Sequence, residues 1–347
     1  MTSALSPTDD SVGEPVGDER WPVGAATGVG SLPGTDIAEA VKVVLGELPD
    51  LPHLPELPAR GPGADLIGRG AGLLVELPVE LYAGRWRIAG RPGRDLRRTR
   101  DLWERDLDTI TEQAGEFTGT FKIQSVGPWT LAANLDLPVG GRVLRDPGAA
   151  RDLVDSLTEG LAGHVRDVRR RLPRARILLQ LDEPSLPAVL AGQVPTESGL
   201  GTLRAVDKVL ATTVLSQVIE ESAVPVVVHC CAPRAPIALL RAAGAVAVSL
   251  DLDLVEDLDG LGEAIDAGLG LFAGAVPVTG TGDDLSRTAA DRIVAMWRRL
   301  GFPLARLPEQ VVVTPTCGLA GASDEYARTA LRACRDAGRR LRDAAWG

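Results

Sequence analysis

The sequence of 347 residues predicts an α/β protein folded as a single (β/α)8 TIM barrel, and three observations support this prediction. Short runs of β-branched and other apolar residues alternate with stretches that have helical spacing. Runs that are apolar throughout are typical of parallel strands covered by helices on both faces. Eight such runs can be counted, and several end in metal-binding or acidic residues, as strands do at the mouth of a closed barrel. An open doubly wound sheet is the alternative.

The predicted strands follow one another in order along the chain. The first, around VGAATGVGS, ends near Ser31, and the second, a weak and proline-interrupted LPHLPEL, ends near Glu56. The later strands are FKIQSVGP, RILLQLDEP, VPVVVHCC, AVAVSLD, LGLFAGAVP and QVVVTPTC. The stretches AARDLVDSLTEGLAGHVRDVRRRL and DRIVAMWRRL carry apolar residues at helical spacing and predict covering helices. Residues 57–120 exceed one βα unit, so we expect an elaborated segment after the second strand rather than a separate domain.

Composition and charge exclude several classes of protein. A net charge of −10 argues against a nucleic-acid binder, which needs a basic surface. No apolar run has the length of about 18 residues that a membrane span requires. Residues 1–20 are acidic and lack the apolar segment of a secretory signal, so we expect a disordered tail before a barrel that spans 21–347. With no export signal we expect a cytoplasmic protein, in which cysteines more often bind metals or catalyse than form disulfides.

Histidine and cysteine at two strand ends form a candidate metal site. Because side chains on a strand alternate, His229 and Cys231 share one face and Cys230 points to the other. Cys317 ends the eighth strand, and in a barrel the fifth and eighth strands open onto the same mouth. One imidazole and two thiolates suit zinc. The alternative for the His-x-Cys pair alone is a core histidine beside a buried cysteine.

Other strand ends carry carboxylates and a hydroxyl. Asp251 ends AVAVSLD and is either a fourth, oxygen ligand of the metal or a helix N-cap. Asp182 and Glu183 are adjacent at the end of the fourth strand, so only one of them can face the mouth. A carboxylate there would suit a substrate ammonium, and a capping role is the alternative. Ser31 and Glu56 end the first two strands and converge on the same rim.

A zinc ion held by two thiolates has a specific chemical use. If a fourth position is free, the metal can bind a substrate thiol and keep it as thiolate at neutral pH. A thiolate is the nucleophile that alkyl transfer needs. The pattern of ligands therefore favours transfer of an alkyl group to sulfur over hydrolysis.

Four segments, in this order, resemble a known family: GVGSLP (28–33), QLDEP (180–184), HCC (229–231) and PTCGL (315–319). They are similar to the catalytic barrel of cobalamin-independent methionine synthase, within the uroporphyrinogen decarboxylase/methionine synthase superfamily. The resemblance is scattered over residues 20–320 and implies a zinc TIM barrel that moves a methyl group to homocysteine and forms methionine. It assigns zinc binding to His229, Cys231 and Cys317, with Asp251 where the family has a glutamate ligand.

The resemblance also assigns residues to the amino acid. Asp182 matches the acid that holds the amino group of homocysteine, and Ser31 matches a serine that contacts the amino acid. Glu56 is a candidate for a second carboxylate on the amino group. The aspartate at 251 is shorter than the family's glutamate and would have to approach the metal more closely.

Two departures from the family concern the methyl donor. The long family enzymes carry a second barrel that helps to bind folate, and this chain has room for one. They also carry a histidine on the seventh-strand loop that protonates the folate leaving nitrogen, whereas residues 272–277 here read FAGAVP. Because cobalt(I) leaves without a proton, we expect methylcobalamin, on a corrinoid protein, as the donor rather than methyltetrahydrofolate. Methyl transfer to another alkylthiol of the coenzyme-M kind, and a non-catalytic zinc-binding relative, remain alternatives.

Overall fold

The computed structural model describes residues 20–280 and 284–346; apart from Arg20, the expected tail lies outside these residues. Six parallel strands form a curled sheet in which every strand pairs with the next one along the chain. Their bounds are β3 (Gly119–Val126), β4 (Ala175–Asp182), β5 (Val226–Cys230), β6 (Ala247–Asp251), β7 (Gly270–Val276) and β8 (Val311–Pro315). A separate antiparallel hairpin contains β1 (Val79–Tyr82) and β2 (Arg85–Ile88).

Two extended segments join the edges of this sheet and complete a barrel. The first pairs with β8 through the bridge Ala26–Val313, and the second pairs with β3 through the bridge His53–Lys122. The two segments pair with each other at Ser31 and Glu56. The predicted barrel is confirmed, but its first two strands are irregular rather than regular. Proline interrupts the second segment, and a proline cannot donate to a strand ladder.

Twelve α-helices are described, and most lie between consecutive strands. The predictions around residues 149–172 and 291–300 are confirmed by α5 and α10, respectively. The bounds are α1 (Ile37–Glu47), α2 (Leu66–Leu73), α3 (Arg94–Ala114), α4 (Pro128–Asn134), α5 (Pro147–Arg171), α6 (Leu186–Ala191), α7 (Lys208–Ser222), α8 (Ile237–Ala242), α9 (Leu258–Asp266), α10 (Leu285–Arg299), α11 (Leu307–Gln310) and α12 (Asp324–Trp346).

The elaborated segment predicted after the second strand consists of a short 3-10 turn, α2, the β1–β2 hairpin and α3. Buried charges join its parts to one another, and one of them links it to the barrel. Asp106 on α3 accepts from Arg60 at 2.6 Å and from Arg69 at 2.7 Å, and Arg69 also lies 3.4 Å from Glu56. Arg69 stacks on the ring of Trp103, with its guanidinium carbon 3.7 Å from the ring centre. The insertion therefore contacts the rim at one of the predicted site residues.

The two ends of the barrel differ in chemistry. Near the strand starts, Trp21 packs edge-on against Phe272 with ring centres 5.2 Å apart, within a small apolar cluster inside the barrel. Polar residues, by contrast, lie at or towards the carboxyl ends of the strands, where Gln180, Asp182 and His229 are buried. Among the described residues, no helix combines the length and the apolar character needed to cross a membrane.

Candidate metal centre

The structure brings three of the predicted metal ligands together at the mouth of the barrel. His229 lies in β5, Cys231 follows that strand directly, and Cys317 lies two residues beyond the end of β8. One ligand atom from each lies within 4.8 Å of the other two. The Sγ atoms of Cys231 and Cys317 are 3.4 Å apart. His229 is buried and both cysteines are half-buried, so a ligand can reach the cluster from the mouth.

The imidazole of His229 is held from behind by the neighbouring strand. Its Nδ1 lies 3.0 Å from the hydroxyl of Ser249, which is its register partner on β6. Its Nε2 is buried and has no hydrogen-bond partner among the described residues. A buried ring nitrogen without a partner is costly, whereas a metal ion satisfies it. One free imidazole nitrogen beside two sulfur atoms fits a zinc ion.

The two thiols of the cluster have different proton affinities. The contact with Cys231, and then the nearby His229, lower the pKa of Cys317 to about 4. The same contact with Cys317, together with burial, raises the pKa of Cys231. The pair therefore favours ionisation of Cys317 over Cys231, and the thiolate is the form that binds soft metal ions.

Cys230 points away from this cluster, as strand alternation predicts. It lines a cavity of about 220 Å³ outside the barrel, together with Ile237 and Leu250. Burial raises the pKa of Cys230 to about 11, so it remains a thiol. Cys334 is buried in α12, where it packs in the hydrophobic core.

Asp251 is not part of the group of three. It ends β6, and its Oδ1 accepts a hydrogen bond of 2.9 Å from the backbone N–H of Asp253. This contact caps the short turn Leu252–Leu254. The capping alternative therefore describes the observed contact, and metal binding by Asp251 stays a prediction.

The adjacent acids at the end of β4 face opposite sides. Asp182 is inside the barrel beside its register partner His229, and its Oδ1 accepts from Gln180 at 2.7 Å. Burial raises the pKa of Asp182 to about 7, and the nearby His229 opposes this shift. Glu183 instead accepts hydrogen bonds from the backbone N–H groups of Trp129 and Thr130 at 2.9 and 2.8 Å, and so caps α4. Asp182 is thus the carboxyl group that faces the mouth.

Ser31 and Glu56 lie on the same rim. The Glu56 carboxylate accepts from Gln124 at 3.1 Å. Ser31 packs against Gly318, where a Cβ atom would lie only 2.1 Å from the serine hydroxyl. The serine hydroxyl therefore packs against the residue that follows Cys317, and a side chain at position 318 would prevent this approach.

Several buried polar residues near the site were not predicted from the sequence to be functional. They are Arg69, Lys122, Gln124, Gln180 and Ser249. A signal was present for three of them, because polar residues stand at alternate positions of FKIQSV and RILLQLD. Alternation within a strand that is otherwise apolar indicates one polar face.

Comparisons with known proteins identify the family and support the fold. The family model described as "Cobalamin-independent synthase, Catalytic domain" matches residues 24–340. A B12-independent methionine synthase from Shewanella sp. W3-18-1, solved with selenomethionine, is 12% identical, covers 93% of this chain and 99% of its own, and has a TM-score of 0.61. A BexX/CysO complex from Amycolatopsis orientalis is 15% identical, with coverages of 94% and 92% and a TM-score of 0.36. The comparison with curated proteins gives no significant match.

These results bear on the expected donor and on the identity of the chain. At 12% identity the Shewanella structure supports the barrel fold alone. The family description names a cobalamin-independent synthase, so it runs against the expected methylcobalamin donor and does not support a corrinoid partner. The family model spans nearly all of the described barrel, including the three clustered residues. The chain therefore belongs to the cobalamin-independent methionine synthase family and corresponds to its catalytic domain.

Proposed function

We propose that this protein transfers a methyl group to the sulfur of homocysteine and so forms methionine. The observation that carries the proposal is the cluster of one imidazole nitrogen and two sulfur atoms within 4.8 Å at the barrel mouth. Family membership supplies the reaction class. The buried Nε2 of His229, which lacks a partner among the described residues, supports a metal-binding role for the cluster.

His229, Cys231 and Cys317 would hold a zinc ion. Zinc bound there supplies a means of keeping the substrate thiol deprotonated at neutral pH. Three protein ligands are the usual complement of a catalytic zinc site, which keeps a position for substrate. The proposal does not require Asp251 as a ligand, since its carboxylate already caps the following turn.

The amino-acid end of the substrate would meet the rest of the rim. Asp182 and Glu56 are buried carboxyl groups that can accept hydrogen bonds from an ammonium group, and Ser31 offers a hydroxyl beside Cys317. A coenzyme-M-like thiol would instead bring a sulfonate towards these two acids. A sulfonate-bearing thiol of this kind has no ammonium group to donate to these carboxyl groups, so the rim favours an amino acid as acceptor.

The donor that we propose is a methylated reduced folate, in line with the family description. Its amine leaving group needs a proton. The chain has three histidines, and none lies in residues 272–277. His53 is buried against Gly28 inside the barrel, and His164 packs on Trp103 outside it. The proton would therefore come from a carboxyl group, a hydroxyl group or water rather than from a seventh-strand histidine.

Metal analysis of purified variants tests the site. The wild-type protein should contain about one zinc per chain, and Cys231→Ser and His229→Ala should lose most of it, because each removes a ligand. Cys230→Ser is the matched control, since the neighbouring thiol faces the other side of β5. The site assignment fails if Cys231→Ser keeps a full complement of zinc, or if the control loses as much as the ligand variants.

A methyl-transfer assay tests the reaction. Zinc-loaded protein is incubated with homocysteine and either methyltetrahydrofolate or methylcobalamin, and methionine is measured by mass spectrometry. We expect methionine from the folate. Faster formation of methionine from methylcobalamin would refute the folate as the donor, while homocysteine would remain the acceptor. Zinc binding with no methionine in either arm would favour the non-catalytic relative, and methylation of 2-mercaptoethanesulfonate in preference to homocysteine would favour the alkylthiol alternative.

A further inference from the structure

One buried lysine is linked, through its hydrogen-bond partners, to each residue that the proposed function gives to the amino acid. Lys122 lies on β3 and is completely buried. Its Nζ donates to the backbone carbonyl of Val29 at 2.9 Å, to Gln180 Oε1 at 2.9 Å and to Gln124 Oε1 at 3.3 Å. A lysine ammonium has three donors and no acceptor, so these contacts use all of its hydrogen-bonding capacity.

The lysine fixes which way both glutamine side chains point. An amide has one oxygen and one NH2 group, and a pure donor can only be met by the oxygen. Both NH2 groups are therefore turned away from Lys122. That of Gln180 donates to Asp182 at 2.7 Å, and that of Gln124 donates to Glu56 at 3.1 Å. One cation thus orients two amides, and each amide donates to one of the two carboxyl groups. The Gln124 amide also donates to the carbonyl of Leu54 at 2.6 Å, and Glu56 also lies 3.4 Å from Arg69.

The third contact of the lysine reaches the remaining part of the rim. The carbonyl of Val29 accepts from Lys122 and also from Gln180 at 2.9 Å. It lies two residues before Ser31. At the intervening Gly30, a Cβ atom would lie 3.0 Å from the side chain of Gln124, so this segment packs directly on the same network. The position of the serine is therefore linked to the lysine as well.

We propose that Lys122 is a positioning residue: through Gln124 and Gln180 it holds Glu56 and Asp182 in place to receive the ammonium group of the substrate. The inference rests on the proposed function for what the two carboxylates bind. It predicts that loss of the lysine weakens recognition of the amino group and spares the metal centre, because Lys122 makes no hydrogen bond to His229, Cys231 or Cys317.

The test compares two thiols that differ in the amino group. Homocysteine and 4-mercaptobutanoate share the thiol, the chain and the carboxylate, and only homocysteine has the ammonium. Their dissociation constants are measured by calorimetry on zinc-loaded protein. In Lys122→Met we expect homocysteine to bind at least about tenfold more weakly, because a charge-assisted contact is lost, with 4-mercaptobutanoate unchanged within about twofold and zinc content unchanged. Lys208→Met, on the surface of α7, is the control and should bind both thiols as the wild type does.

Other outcomes decide against the inference. If Lys122→Met binds both thiols more weakly to the same extent, the lysine has only a general packing role. If neither dissociation constant changes, Lys122 does not position the carboxyl groups. If Lys122→Met does not fold, Gln180→Met must show the same selective loss of homocysteine binding, and its absence overturns the inference. A wild-type protein that does not prefer homocysteine to 4-mercaptobutanoate overturns the proposed function, and the inference with it.

Discussion

Replacing Ser249 by alanine tests whether the metal-binding imidazole is oriented by the neighbouring strand. The hydroxyl lies 3.0 Å from Nδ1 of His229, and the two residues are 1% and 3% exposed. If Nε2 binds the metal, Nδ1 carries the proton and donates to the serine. Alanine removes that acceptor and leaves a buried N–H group without its partner.

The size of the effect follows from the type of contact. Loss of an outer hydrogen bond to a metal-binding histidine costs about 10- to 100-fold in affinity, or about 1.4–2.7 kcal/mol. A hydroxyl is a neutral acceptor and forms a weaker bond than a carboxylate, which places Ser249 at the lower end. Burial acts in the opposite direction, because an unsatisfied buried donor costs about 1–3 kcal/mol. We therefore expect zinc to bind about 10- to 30-fold more weakly.

Competition with a chromogenic chelator at neutral pH measures this change. Ser222→Ala is the matched control, because its buried hydroxyl donates at 2.7 Å to the carbonyl of Ile219 in α7. The control should lose stability and keep its zinc affinity. The reasoning is refuted if Ser249→Ala binds zinc within about twofold of the wild type, or if the control weakens binding equally.

Three further predictions concern stability. Burial raises the pKa of Glu183 from 4.5 in the unfolded chain to about 7 in the folded protein. The stability linked to this carboxyl group is therefore fully present below about pH 4.5 and is lost as the pH rises through 7. Urea unfolding should show the wild type losing stability relative to Glu183→Gln over this range, and a constant difference would contradict it. Phe272→Ala should lower the free energy of unfolding by about 3–5 kcal/mol, and a loss under about 1 kcal/mol would mean the apolar cluster is not rigid. Gly28→Ala places a Cβ atom 2.3 Å from the ring of His53 and should destabilise by about 1–3 kcal/mol in thermal melts, whereas Gly46→Ala meets nothing within 4 Å and should not.

The barrel was predictable from the sequence because its later strands are apolar almost throughout. Such strands are covered on both faces, and their carboxyl ends must meet at one mouth. The irregularity of the first two strands follows from local chemistry: Pro52 and Pro55 have no N–H group, and Gly28 lies where the ring of His53 leaves no room for a side chain. Their pairing with β8 and β3 depends on closure of the barrel, which no local pattern encodes.

The candidate site was predictable to the extent that strand geometry decides it. Alternation separated Cys231 from Cys230, and the topology of a barrel placed Cys317 beside them. Strand geometry did not predict whether Asp251 binds a metal or caps the following turn. A carboxylate at the end of a strand can reach either a metal ion or a backbone N–H group of the turn. The donor prediction, which the family description runs against, rested on weaker grounds. It was inferred from a missing histidine and a missing barrel, and neither absence identifies what binds instead.

The interior of the barrel contains buried charged groups that lower the stability of the fold. A barrel core is ordinarily filled by Val, Ile and Leu, as it is here near the strand starts around Phe272. Further along β4 and β5 the interior contains Asp182 and His229, and Lys122 lies midway along β3; each is almost completely buried. Burying charged groups costs more than burying apolar side chains of the same size, even when hydrogen bonds compensate. Because Asp182 and His229 occur where their strands approach the metal cluster, and Lys122 is linked to Asp182 through Gln180, we infer that these buried polar groups serve the proposed site rather than the stability of the fold.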